Sequence, residues 1–87
     1  MGAAWKIANY AAVAASRAET LPLGAERSAL EAAGQRASAF AAAIERGSDF
    51  SAPRFAGIAR LIDQEMADAG LYAIPPQADT WIADRAA

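Results

Sequence analysis

Residues 51–70 read SAPRFAGIARLIDQEMADAG, the clearest helical pattern in the chain. Apolar side chains recur in this stretch at intervals of one, three or four residues, as on one face of a helix: Phe55, Ile58, Ala59, Ile62, Met66 and Ala69. Ser51 is a good N-cap, and Gly70 suits the left-handed position that follows a helix. The stretch therefore predicts an amphipathic helix over about 52–69.

A second helical stripe precedes this one. Its members are Leu30, Ala33, Ala37, Phe40, Ala41 and Ile44. Pro22 before the stripe and Gly47 after it are typical helix boundaries, so we expect a helix over about 24–46. Only about five residues separate the two helices, which favours an antiparallel hairpin. Phe50 in the connecting loop is placed to close the end of that hairpin.

Further helices are predicted on both sides of the hairpin. Ile7, Ala11 and Ala14 share one face of a helix over about 3–18. Residues 73–76, which include two prolines, should be extended, because proline disfavours helix in the residue before it. A short helix can follow over about 77–85.

The expected fold class is all-α. We predict a small three-helix bundle built on an antiparallel helical hairpin, plus a short C-terminal helix. No alternating pattern of the kind that predicts a strand occurs in the chain. The punctuation gives no sign of a second domain, so residues 1–87 are expected to form a single α-helical domain.

Composition indicates a thin core. Hydrophobic residues make up 55% of the 87, but 27 of them are alanine, whereas Leu, Ile, Val and Phe together number 15. A chain of this mass hides roughly 63% of its surface on folding, and alanine contributes little area to that burial. The composition therefore favours a protein that depends on partners for stability.

The residue types exclude several kinds of chemistry. The chain has no Cys and no His, so disulfide scaffolds, thiol nucleophiles and imidazole bases are absent. The side chains of Asp63, Glu65 and Asp68 diverge around their helix and are expected to be solvated rather than paired for catalysis. We therefore expect no enzyme, no cofactor, no metal site and no small-molecule substrate.

Charge and hydropathy argue against other partners. The net charge is −2 and no basic cluster is visible, so we do not expect the monomer to bind nucleic acid. The longest uncharged run without Gly or Pro, residues 7–16, is too short to span a bilayer, and the expected location is the cytoplasm. Arginine makes up all but one of the basic residues, Lys6 being the exception, which with the excess of alanine suggests a GC-rich bacterial or phage gene.

Several large side chains have no obvious place in the core. Trp5 and Val13 lie opposite the apolar face of the first helix, and Leu61 lies off the stripe of the third. The C-terminal part adds a crowded set with little core left to enter: Tyr72, Ile74, Pro75, Trp81 and Ile82. Aromatic residues are enriched at interfaces, so we expect these positions to bind a partner. The alternative is that Trp5 and Trp81 cover the open ends of the core.

The predicted function is protein binding without catalysis. The chain would be an accessory, assembly or inhibitory subunit that docks on a larger protein or forms a homo-oligomer. The alternative is an oligomeric phage DNA-packaging or regulatory subunit that contacts DNA only as an assembly. The stripes from Leu30 to Ile44 and from Phe55 to Met66 resemble loosely the hairpins through which small terminase subunits oligomerise, over less than half of the chain.

Overall fold

The computed structural model describes residues 2–69 and 76–86, and in these residues it contains four helices and no strand. The helices are α1 (Ala3–Glu19), α2 (Ala25–Glu45), α3 (Ala52–Asp68) and α4 (Ala78–Ala86). The all-α prediction is confirmed, and each helix begins and ends within one residue of its predicted limits. The molecule is compact, with a radius of gyration of 12.6 Å.

Local chemistry sets the helix ends as the sequence predicts. The Ser51 side chain accepts a hydrogen bond from the Arg54 backbone N–H at 3.3 Å, which caps α3. Gly47 follows α2 with a φ of +82°, a left-handed conformation that glycine adopts without steric cost. The Ser48 N–H then bonds the Ala43 carbonyl at 3.0 Å and closes the last turn. Gly70, the predicted cap of α3, lies outside the described residues, as do positions 73–75 of the predicted extended segment.

The most extensive helix pair is α1 with α2, not α2 with α3. Small residues explain this result, because they let the two backbones approach closely. At Gly34 a Cβ atom would stand only 3.5 Å from both the Ala11 carbonyl oxygen and the Ala14 Cβ. The prediction of a bundle built on the hairpin of α2 and α3 follows from the positions of the large side chains. It does not take into account the length over which alanine faces can pack.

Helix α4 folds back onto α1 and α3. The largest fully buried side chain, Trp81, belongs to this helix. Its ring meets the Tyr10 ring edge to face, with centroids 5.2 Å apart. Alanines make up more than half of the buried core among the described residues, and the larger members are Ile7, Tyr10, Leu30, Phe40, Phe55, Ile62, Met66 and Trp81. A single Trp thus supplies much of the volume that alanine does not.

Candidate protein-binding surface

One face of α1 carries large side chains that the described helices leave partly exposed. Trp5 is 54% exposed and Val13 is 36% exposed, in agreement with their predicted positions opposite the buried face. A shallow cleft of about 240 Å³ opens between them, lined by Trp5, Lys6, Asn9, Tyr10, Val13 and Gln77. The structure therefore brings two of the predicted partner-binding residues together at one site.

Helical geometry explains why these side chains share a face. Trp5, Asn9 and Val13 are spaced four residues apart, so they lie one above the other along α1. Ile7, Ala11 and Ala14 turn toward the core on the opposite side. An exposed Trp beside an apolar Val and the polar Asn9 presents a large apolar body with hydrogen-bonding groups next to it, which suits a protein interface.

The start of α4 forms part of the wall of this cleft. Gln77, immediately before α4, lines the cleft opposite the side chains of α1. Lys6 bonds Asp84 of α4 through a salt bridge of 2.9 Å, and this contact ties the two helices together beside Trp5. The shape of the cleft therefore depends on α4 being docked.

Asp63 positions the start of α4. Its carboxylate accepts the Gln77 backbone N–H at 3.0 Å and the Ala78 backbone N–H at 2.7 Å. Such a carboxylate satisfies N–H groups that the helix itself leaves unpaired, and its charge complements the helix dipole. The expectation of a solvated Asp63 is wrong: this side chain is half-buried and acts as a cap supplied by another helix.

Tyr10 joins the same cluster from α1. Its hydroxyl donates to the Asp63 carboxylate at 3.5 Å, and its ring packs against Trp81. Burial, with a further contribution from the Asp63 charge, raises the pKa of Tyr10 from 10.0 to about 12. The phenol therefore stays protonated and can donate to Asp63 across the physiological range. In the sequence, Tyr10 is only an interruption in an alanine run, and no local signal links it to Asp63, which lies 53 residues away.

Trp81 is not available to a partner while α4 is docked. Its side chain is fully buried, so the expectation of an exposed anchor at this position needs correction. The physical reason is that the core built from alanines leaves a space between α1 and α3 that a large side chain can fill. Ile82, the next residue, is half-buried and packs against the same core.

The remaining predicted residues lie elsewhere. Leu61 on α3 is 47% exposed, and it is not among the residues that line the Trp5 cleft. Tyr72, Ile74 and Pro75 lie outside the described residues. Leu23, in the loop between α1 and α2, is 88% exposed and was not predicted as a site. A lone exposed leucine is common on protein surfaces and needs no functional explanation.

A second concavity follows the contact between α1 and α2. This groove of about 510 Å³ has alanines along its floor and charged residues at its rim: Ala8, Ala11, Ala12, Ala15, Ala18, Glu19, Arg27, Glu31, Gly34, Gln35 and Ser38. Arg27 and Glu31 pair across one helical turn at 2.9 Å. The groove therefore combines small apolar groups with charged side chains, two of which pair with each other.

Two acidic residues of α3 lie in separate polar pairs. Glu65 pairs with Arg36 at 2.9 Å, while Asp68 accepts a hydrogen bond from Gln64 at 2.9 Å. No group of three or more Asp or Glu side chains within the described ranges is placed to hold a metal ion. None of the helices in those ranges combines the length and the apolar character needed to cross a membrane.

Comparison of the chain with protein-family models, with curated proteins and with solved structures finds no significant match.

Proposed function

We propose that this chain is a non-enzymatic helical protein that acts by binding another protein, either a larger partner or a second copy of itself. The single observation that carries the proposal is the exposure of Trp5 beside Val13 at an open cleft. A Trp side chain that is half in water gains most by becoming buried in a partner, and Trp is among the residues that contribute most to binding.

Three supporting features belong to the same face. Trp5 comes from a regular helix, so its backbone is already ordered before binding and costs little further entropy. Lys6 is held by Asp84 and keeps a charge at the edge of the cleft. Asn9 supplies hydrogen-bonding groups between the two apolar side chains. Together these features suit an interface with an apolar centre and a polar rim.

The proposal includes a particular arrangement of helices. We infer that α1, α2 and α3 form a small bundle with antiparallel neighbours, and that α4 is laid over α1 and α3. This arrangement leaves the Trp5 face of α1 as the side on which a partner docks.

The test compares two matched substitutions. Trp5→Ser should weaken association about 30-fold, the effect of losing a binding contribution of about 2 kcal/mol. Leu23→Ser, at the most exposed apolar side chain described, should leave association unchanged. Self-association is measured by size-exclusion chromatography with light scattering, and binding to a partner by quantitative recovery of that partner from the host on each variant.

Circular dichroism must show equal helix content in both variants, so that a folding defect cannot mimic lost binding. A monomer at every concentration that recovers no protein in a Trp5-dependent manner would overturn the proposal. Equal losses with Trp5→Ser and Leu23→Ser would also overturn it, because they would show that binding does not depend on the cleft.

A further inference from the structure

Helix α4 depends on its docking site for its own structure. It has nine residues, fewer than an isolated helix needs to persist in water. Its contacts are made mainly with α3 and α1, whereas the most extensive helix pair is α1 with α2. Helix formation in α4 therefore depends on its contacts with α3 and α1.

The groups that hold α4 belong to α1, to α3 and to the loop before α3. Asp63 caps its first turn, and Tyr10 packs against Trp81. The remaining polar contacts lie along its length: Lys6 with Asp84, Arg60 with Asp79, and the Arg85 guanidinium with the Phe50 carbonyl. An α4 helix from another copy carries the same complementary groups and would find all of these partners in place.

Among the described residues, docking of α4 buries a Trp81 side-chain donor without an acceptor. The Trp81 Nε1–H is buried and has no hydrogen-bond acceptor. A buried donor without an acceptor opposes docking, and opening α4 would return this group to water. The Arg60–Asp79 pair is exposed, so it contributes little to hold the helix in place. The Asp63 cap and the buried body of Trp81 attach α4 to α3 and α1, beside the Lys6–Asp84 salt bridge and the bond from Arg85 to the Phe50 carbonyl.

We propose that the surface of α1 and α3 beneath α4 is a helix-binding site, which we call the α4 site, and that α4 covers it reversibly. The α4 helix of a second copy occupies this site when two chains exchange these helices. The inference rests on the proposed function, since it names a second copy as one partner and α4 as the element that binds. Exchange makes the dimer from contacts that the monomer already contains. Within each chain, the attached α4 helix has an effective concentration in the millimolar range at its own site. The α4 helix of a second copy competes with it, so exchange becomes measurable at high chain concentration.

A synthetic α4 peptide tests the site directly. The full chain carrying Trp5→Phe and Trp81→Ala has no Trp and lacks the main apolar attachment of its own α4. Addition of a peptide with the sequence of residues 76–86 should give a saturable blue shift of the peptide's Trp emission. In the same chain, Asp63→Ala should weaken binding about tenfold by removing the cap, whereas Asp68→Ala, at an exposed position of the same helix, should not change it.

A chain that keeps Trp81 provides the second measurement, which does not depend on how the Trp-free chain folds. In the Trp5→Phe chain, exchange predicts that the measured mass rises from monomer to dimer as the chain concentration increases. The Trp81 emission should stay blue-shifted throughout, because every α4 helix remains docked in an α4 site. A monomer mass at all concentrations overturns the exchange. The α4 site is overturned if the Trp emission of the peptide stays unshifted at millimolar concentrations of a Trp-free chain that retains its helices.

The outcomes separate this inference from the proposed function. If Trp5→Ser abolishes association while the peptide fails to bind, the Trp5 surface stands and the helix-exchange site is overturned. If the peptide binds and Trp5→Ser has no effect on any association, the α4 site is supported and the Trp5 surface is overturned.

Discussion

Asp63 connects three helices through one side chain. It lies on α3, accepts two backbone N–H groups at the start of α4 and receives the hydroxyl of Tyr10 from α1. A cap usually comes from the residue that precedes the helix. Here the cap comes from another helix, so the start of α4 is specified by tertiary structure.

Removal of this carboxylate should destabilise the protein. We expect Asp63→Ala to lower the free energy of unfolding by about 1–2 kcal/mol, because two N–H groups of α4 lose their acceptor. Asp63→Asn keeps one acceptor oxygen and should recover part of the loss. Urea denaturation followed by circular dichroism measures each value.

The matched control is Asp68→Ala on the same helix. Asp68 is exposed and, within the described residues, accepts a hydrogen bond from Gln64 alone, so its loss should change the free energy of unfolding by less than about 0.5 kcal/mol. Equal effects of Asp63→Ala and Asp68→Ala would contradict the role given to the cap.

Tyr10 should make stability fall at high pH. The pKa of Tyr10 is about 12 in the folded chain and 10.0 in a solvated phenol, so the folded state holds its proton more tightly. Stability from this group is complete below pH 10 and is lost as the pH rises from 10 to 12. The two-unit difference corresponds to about 3 kcal/mol. Urea denaturation at pH 9 and pH 11.5 measures the loss.

Tyr10→Phe provides the comparison, because it removes the titrating hydroxyl but keeps the ring against Trp81. The Lys6–Asp84 salt bridge beside this cluster is present in both chains. The difference between the two chains therefore isolates Tyr10. If the Tyr10→Phe chain loses as much stability between these pH values, the assignment to Tyr10 is wrong.

At the scale of elements, the contact between α1 and α2 is made by residues with almost no side chain. Gly34 lies close to the backbone of α1, and Ala11 and Ala14 face it from that helix. Close backbone approach allows many small dispersion contacts over the length of both helices. This packing compensates for the shortage of large apolar side chains.

Position 34 should accept one methyl group and nothing larger. A Cβ atom there would meet Ala11 and Ala14 at 3.5 Å, an ordinary contact distance. Gly34→Ala should therefore raise the free energy of unfolding by about 0.5–1 kcal/mol through improved helix propensity. Gly34→Leu should lower it by about 1–3 kcal/mol, because the extra atoms force the helices apart.

Thermal unfolding of the two variants checks this pair of expectations. Gly57→Ala serves as the reference for propensity alone, since a Cβ atom at Gly57 would meet nothing within 4 Å. If Gly34→Leu were as stable as Gly34→Ala, the close approach of α1 and α2 would not be the limiting contact.

At the scale of the whole molecule, the two tryptophans have opposite roles. Trp81 is fully buried between α1 and α3, whereas Trp5 is 54% exposed on the outer face of α1. A domain of this size has a stability of about 4–13 kcal/mol, so one large core side chain is a major part of the total. Trp81 therefore supports the fold, and Trp5 is left to the interface that we propose.

Substitution of each Trp by Ala should separate these roles. Trp81→Ala should cost about 3–5 kcal/mol and lower the Tm by more than about 12 °C, because it empties the site under α4. Trp5→Ala should change stability by less than about 1 kcal/mol, because half of the side chain is already in water. Differential scanning calorimetry measures both, and similar Tm losses for the two variants would refute the assignment.

Much of the fold follows from local sequence signals. The helix limits depend on neighbours in the chain, such as Ser51 before α3 and Gly47 after α2, and on apolar spacing within each helix. The exposure of Trp5 and Val13 was also predictable, because it follows from their angles around α1. The Tyr10–Asp63–Trp81 cluster was not predictable, since its members lie far apart in the chain and no local pattern joins them.

The sequence by itself determined four helices, the start of α3 at Ser51, the end of α2 at Gly47 and the exposed face of α1, because backbone hydrogen bonds, glycine conformations and helical periodicity act over a few residues. Only the tertiary structure decided that α1 pairs most closely with α2, that Trp81 is buried and that Asp63 caps α4. These outcomes depend on which surfaces fill the same space, and alanine faces leave that choice open because each contact is weak. The close approach at Gly34 and the space that Trp81 fills resolve it.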